Sequence, residues 1–277
     1  ADLGAVIELR CDLVVHCDEQ VSWLEKQSSP ITVFLKLNSG MNRLGFTPDA
    51  YRLAYHRLYA QGHHVQHMTH FANADCIDRE PSVRAQMECF TKTIEGLKGE
   101  TSLANSAAIL WHRNALGDWV RPGIMLHGIS PTGMYQDIEH AHLKTVMSLS
   151  SKIISIQELQ AGDAVGYGAR YVAKQAMRVG VIACGYADGY PRHAKDGTPV
   201  WVYGPQDKTQ GAICPIAGQV SMDMLTIDLS HAPWARVGTS VELWGKNLPV
   251  DNVANHAQTI GYELVCAIAP RVPVEII

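Results

Sequence analysis

Between Leu13 and about Leu110 the chain switches hydrophobic period repeatedly, and this alternation limits the fold more than any other feature. Leu13–His16 is a short apolar run, followed by a helical pattern from Asp18 to Lys26 with Asp18 placed to cap it. Ile31–Leu37 is β-branched and mostly apolar, the pattern of a buried strand. Leucines and tyrosines then recur at helical intervals over Pro48–Gln61, and Pro48 suits a first turn. Val65–Phe71 predicts the next strand, and Pro81–Leu97 a helix with Val83, Met87 and Phe90 on one face. Thr101–Ala104 predicts a short strand, Asn105-Ser106 opens a helix through Leu110, and Val120–His127 predicts the last strand of the series. Strands alternating with helices imply a parallel sheet covered by helices.

About five strand–helix units can be counted, whereas a closed parallel barrel has eight. At roughly 30 residues per unit, a barrel expects about 90 further residues ahead of Ala1. The opening Ala-Asp-Leu-Gly, without Met, fits a cut there. An open doubly wound sheet needs no missing piece, but usually carries a Gly-rich first turn that this chain lacks. From about Ala141 the texture changes. Val146–Glu158 alternates apolar and polar residues, and short strands are expected at Arg178–Cys184, Pro199–Tyr203, Cys214–Ala217, Met224–Leu229 and Val241–Trp244. Glycine turns separate them, and a helix is expected at Val250–Ala257. The expectation is a partial (β/α) barrel over residues 1–140 and a mainly β domain over 141–277, with the change near Ser130–Leu143.

Composition excludes several partners. Net charge is −4 with no basic run, which argues against nucleic acid. No apolar run approaches the ~20 residues of a membrane span. Seven cysteines are scattered with no Cys-x-x-Cys, which fits a reducing cytoplasm better than a disulfide framework. His63, His64, His67 and His70 are spaced like metal ligands, but on a strand i and i+3 face opposite ways, so no metal site is expected.

Tyr167 and Tyr186 stand out, each beside glycine, at the two ends of the strand-like run Ala176–Cys184. A glycine neighbour lets backbone or ligand approach closely. A phenol there serves as hydrogen-bond donor or, with a lowered pKa, as proton acceptor. Two hairpin turns with tyrosine packed over them explain the same pattern.

Seven stretches recur in a recognisable order: Lys36-Leu-Asn-Ser-Gly-Met-Asn-Arg43-Leu-Gly45, His70-Phe-Ala-Asn-Ala-Asp75, Asn105-Ser106-Ala, Arg121-Pro-Gly-Ile-Met-Leu-His-Gly128, the Tyr167/Tyr186 stretch, Gly218-Gln-Val-Ser-Met-Asp223, and Gly261-Tyr-Glu-Leu with Arg271-Val-Pro273. The series resembles the alanine racemase family over nearly the whole chain. That resemblance implies a pyridoxal 5'-phosphate (PLP) enzyme with a TIM-type (β/α)8 barrel and a β-domain, interconverting L- and D-alanine. Ser106, with the backbone of Gly123 and Ile124, is suited to hold a phosphate, and Ser106 as a plain helix cap is the alternative. By the resemblance, Tyr262 adds a phosphate contact, Arg121 faces the pyridine nitrogen and His70 positions Arg121. Tyr167 is implied as the catalytic base on the L-face, reaching the partner subunit's cofactor in a homodimer with shared sites. The resemblance also implies that Arg43 and the backbone of Met222 meet the substrate carboxylate, and that Tyr186, Arg192 and Asp75 line the entrance.

Lys36 has two readings. A lysine in an apolar strand, its pKa depressed, can form a Schiff base. The resemblance instead implies a supporting residue, often carbamylated, that orients Arg43. The family's Schiff-base lysine lies in a Val-Lys-Ala-Asn-Ala-Tyr-Gly-like motif that has no counterpart here, in line with the strand count, so this chain alone is not expected to racemise alanine. Other departures are His127 for a frequent Tyr, Gln219 for an entrance arginine, Asn38-Ser39 for Asp-Thr, and the absence of a second arginine after Arg271. The Gln219 change keeps open a racemase of broader specificity. A non-catalytic PLP-binding or dimerisation module is the remaining alternative. D-alanine supply for the cell wall and D-alanine breakdown are equally compatible roles.

Overall fold

A computed structural model describes residues 3–76, 78–205 and 210–276, so Ala1 and Asp2 of the opening tetrapeptide lie outside them. The chain forms two compact units, one reaching Gly123 and one beginning at Ile124.

The first unit runs α1 (Leu3–Glu8), β1 (Leu13–Val15), α2 (Asp18–Leu24), β2 (Thr32–Lys36), α3 (Pro48–Ala60), β3 (His64–Met68), α4 (Val83–Ile94), β4 (Thr101–Ser102) and α5 (Ser106–Trp111). All adjacent strands are parallel, and their spatial order β1-β2-β3-β4 is their order in the chain. A doubly wound sheet reverses order at a switch point, whereas a (β/α) barrel simply steps onward. This sheet steps onward. Val33, Leu35 and Leu37 alternate with Thr32, Phe34 and Lys36, and only the first set is fully buried, in the core that the helices complete. Helix α3 contributes Tyr51, Ala54, Tyr55 and Leu58 at intervals of three and four, and α4 is capped by Ser82, whose Oγ accepts from the Ala85 N–H at 3.3 Å.

Two local expectations fail. Val120–His127 is not a strand: Trp119 makes a single parallel bridge to Ser102, the Arg121 N–H reaches Ala104 O at 2.9 Å, and a 3₁₀ turn follows at Ile124–His127. Pro122 has no N–H to extend the ladder, so pairing stops there. Asp18 does not cap α2 either; Cys17 occupies the cap position without a side-chain bond, and the Asp18 carboxylate pairs with Arg57 of α3. Its charge still suits the first turn of a helix.

The second unit opens with 3₁₀ turns, and then strands β5 (Leu149–Leu159), β6 (Ala164–Val165), β7 (Tyr171–Val172), β8 (Met177–Ile182), β9 (Pro199–Tyr203), β10 (Gly211–Pro215), β11 (Leu225–Asp228) and β12 (Ser240–Trp244), ending in α6 (Val250–His256) and α7 (Gly261–Cys266). Six strands form an antiparallel sheet in the order β10-β9-β12-β5-β8-β11. Its two edges meet through the Ile216–Ile227 bridge and the Ala217 N–H to Thr226 O bond at 2.9 Å, which curls the sheet into a small barrel. Alternate residues such as Val200, Val202, Val241 and Leu243 fill the interior, where Trp244 stacks on Tyr190 at 5.9 Å.

Of the histidines near β3, His63 and His67 are structural. His63 Nδ1 accepts from the Ile31 N–H at 3.2 Å, so Nε2 carries the proton and donates to Leu24 O at 3.1 Å. His67 is fully buried, with Nδ1 2.8 Å from the Tyr51 hydroxyl and Nε2 without a partner. Burial pulls its pKa below the ordinary value of 6.5. The unfolded chain therefore binds a proton that the folded one refuses. The stability this group contributes is fully present above about pH 6.5 and is lost as the pH falls through the folded value. Thermal unfolding at pH 7.5 and 5.5 should show a drop in acid that His67→Phe makes shallower.

Candidate active site

The C-terminal ends of the parallel strands bring one set of the expected residues together. Lys36 closes β2 level with Met68 of β3, and Met68 is level with Ser102 of β4. Just beyond these ends the Arg121 guanidinium is held from several sides. Its Nη2 donates to Thr69 O at 2.7 Å, Leu103 O at 3.1 Å and His70 Nδ1 at 3.3 Å, and its Nη1 to Ser102 Oγ at 2.6 Å. For His70 to accept from arginine its Nδ1 must be bare, and the environment enforces that: burial, then Arg121, Lys36 and Arg43, push its pKa down to about 4. Lys36 is also depressed, by burial first and then by Arg43 and Arg121. Lys36, Arg43 and Arg121 therefore share one field, a cluster of basic side chains suited to an anionic ligand.

A buried polar network fixes the loops behind this cluster. Gln86 of α4, fully buried, donates to Ser39 Oγ and His70 O at 3.0 Å each and accepts from the Ala72 N–H at 2.8 Å. Ser39 Oγ lies 2.6 Å from Thr69 Oγ1, which donates to Leu37 O at 3.0 Å. Asn105 caps α5 through Ala108, and the next residue, buried Ser106, accepts the Gly123 N–H at 2.9 Å. Asp75 is exposed on the loop after β3.

The second unit holds the other set. Tyr167, 78% exposed, sits on a 3₁₀ turn between β6 and β7. Gly166 and Gly168 supply positive φ there (68° and 71°). Tyr186 opens another 3₁₀ turn, whose Tyr186 and Ala187 N–H groups bond to Ser221 O at 3.0 Å and Met222 O at 2.9 Å. Asp188 clamps this turn: Oδ2 accepts from the Gly185 N–H at 2.9 Å and Oδ1 from Arg271 Nε at 2.7 Å, while Arg271 Nη2 reaches Asp223 Oδ1 at 2.7 Å. Met222 and Arg192 are exposed, and Tyr262 lies half-exposed on α7 after Gly261, whose missing Cβ leaves room for Ile129. Ile124 is buried in the core of this unit. Sequence reasoning missed Gln86, Arg170 and Asp188; only Asp188, an Asp before Gly in a turn, carries a local signal. Among the described residues no group of three or more His, Cys, Asp or Glu is placed to hold a metal, and no helix is long and apolar enough to cross a membrane.

Residues 1–131 match the family model for the alanine racemase N-terminal domain, and residues 146–276 the one for the C-terminal domain. Alanine racemase of Ralstonia nicotianae is 50% identical over 283 residues, covering 99% of this chain and 73% of that protein. The chain belongs to the alanine racemase family. The Burkholderia mallei enzyme is 51% identical over 277 residues, covering 99% of this chain and 75% of its own length. The structure of the biosynthetic alanine racemase from Pseudomonas aeruginosa superposes with a TM-score of 0.90 at 44% identity, covering 98% of this chain and 75% of that one. The parallel-strand unit followed by an antiparallel β-unit is thus the alanine racemase architecture.

Within that architecture Gly185 is a tight junction. A Cβ there would lie 2.3 Å from both Met222 O and Ser221 O, backbone atoms that cannot rotate away. Gly185→Ala should destabilise the protein by about 1–3 kcal/mol through overpacking, and should displace the Met222 loop. Urea unfolding and a structure of the variant check both.

Proposed function

We propose that the chain serves the PLP-dependent interconversion of L- and D-alanine. The observation that carries this reading is Arg121. Its Nη1 and Nη2 are bound to fixed acceptors, whereas none of those four bonds uses Nε. A guanidinium held this way cannot give up its proton, so toward a pyridine nitrogen it donates a hydrogen bond and leaves that nitrogen uncharged. The surroundings fit the rest of the ligand: the Gly123 N–H donates to Ser106 Oγ at 2.9 Å, which brings that backbone and hydroxyl together, and Arg43 and Arg121 supply positive charge for a phosphate or carboxylate.

When bound, PLP draws electrons from the α-carbon of the amino acid and acidifies its hydrogen. The chain's residues do the rest. Ser106, the Gly123 and Ile124 N–H groups and Tyr262 hold the phosphate, and His70 keeps Arg121 in place. Arg43 and the Met222 backbone take the substrate carboxylate, and Tyr167 removes or returns the α-proton on the L-face at its phenol oxygen. Tyr186, Arg192 and Asp75 line the approach, two copies of the chain share their sites, and D-alanine is made in the cytoplasm as a peptidoglycan precursor or broken down there. Lys36 supports Arg43: its depressed pKa favours the neutral amine, the form that takes up carbon dioxide as a carbamate.

Racemisation of alanine by the PLP-loaded full-length protein is the direct test, and Tyr167→Phe should lower kcat by about 10²–10⁴-fold. Borohydride reduction followed by peptide mass mapping should leave Lys36 unmodified. A stoichiometric adduct on Lys36 would overturn its supporting role. A neutral amide at Gln219 favours a broader substrate range as the second reading, which profiling of other L-amino acids decides.

A further inference from the structure

Arg170, three residues after Tyr167, is where three loops of the second unit meet. Its Nη2 faces Gly218 O at 2.7 Å, Asp196 Oδ1 at 3.1 Å and Ala194 O at 3.3 Å, and its Nη1 donates to Gln219 Oε1 at 3.0 Å. The acceptors are tied to one another: Asp196 Oδ1 also accepts the Gly218 N–H at 2.7 Å, and Gln219 Nε2 donates to Arg192 O at 2.6 Å. One of these loops carries Arg192, and the other leads three residues on to Met222.

The Tyr167 turn has few other restraints. β6 and β7 are two residues long each, and three residues of the turn, Gly166, Gly168 and Ala169, have positive φ. Such a segment opens cheaply. The Arg170–Asp196 pair is one-third exposed on both sides, so it adds little to folding. A planar fork bonded to acceptors on two loops fixes direction as well as distance, which a lysine ammonium does not.

We propose that Arg170 is a positioning residue, which with Gln219 sets the Tyr167 turn against the loops carrying Arg192 and Met222. The proposal rests on Tyr167 being the acid–base group, and the test separates the two ideas. Full-length Arg170→Ala, Arg170→Lys and Gln219→Leu proteins are compared with the wild type by hydrogen–deuterium exchange, and by racemisation of α-deuterated L- and D-alanine. Exchange across 164–172 should quicken in both Arg170 variants. Misplacing the phenol should cost Arg170→Ala about 10²-fold in kcat/KM, with lysine giving no rescue and Gln219→Leu, which keeps the guanidinium, a smaller loss. The isotope effect should grow for L-alanine, whose proton Tyr167 takes, and not for D-alanine. Unchanged exchange at the turn overturns the anchoring, whatever the activity. Faster exchange with wild-type kcat/KM and isotope effects overturns the positioning role. If the wild type itself fails to racemise alanine, the functional reading falls, and the exchange data still decide whether Arg170 holds the turn.

Discussion

The first unit depends on how one guanidinium is satisfied. Arg121 needs several acceptors converging from different directions, and Thr69 O, Leu103 O and Ser102 Oγ come from two neighbouring strand ends. Parallel strands stop at the same level, so their last carbonyls and side chains point into one space. The arginine then acts back on its surroundings. Burial first, and then this charge among others, keeps His70 neutral and Lys36 reluctant to hold a proton.

The second unit meets a different problem, because its expected functional residues lie on turns of a small antiparallel barrel. Loops are mobile unless something holds them. Here side chains hold them in pairs: Asp188 and Arg271 secure the Tyr186 turn to the Asp223 loop, and Arg170 secures the Tyr167 turn to Gly218 and Asp196. Charged groups spent this way bring geometry more than stability, since exposed ion pairs add little to folding.

Much of the fold was legible in the sequence because period and length carry it. The switch from helix-spaced tyrosines in 48–60 to the β-branched run of β2 needs no tertiary context. Val120–His127 misled because its apolar content resembles a strand, while Pro122 denies the ladder its next donor. The shared field of Lys36, Arg43 and Arg121 has no spacing signal in the sequence and emerges from the fold. Arg170 and Gln86 left no trace in the sequence. Their partners lie 14 to 49 positions away, and no spacing rule links a buried amide to Ser39 or a guanidinium to Gly218.

The Gln86–Ser39–Thr69 network also shapes how this protein can drift. Each hydroxyl and amide satisfies another, so replacing any one by an apolar residue strands a buried partner, at about 1–3 kcal/mol. Replacing all of them together by apolar groups is no way out, because Gln86 also serves the Ala72 N–H and His70 O, and Thr69 serves Leu37 O. Drift is therefore blocked both one step at a time and by wholesale exchange for apolar groups. The three positions are held as a single inherited unit, and descendants are expected to keep polar groups there.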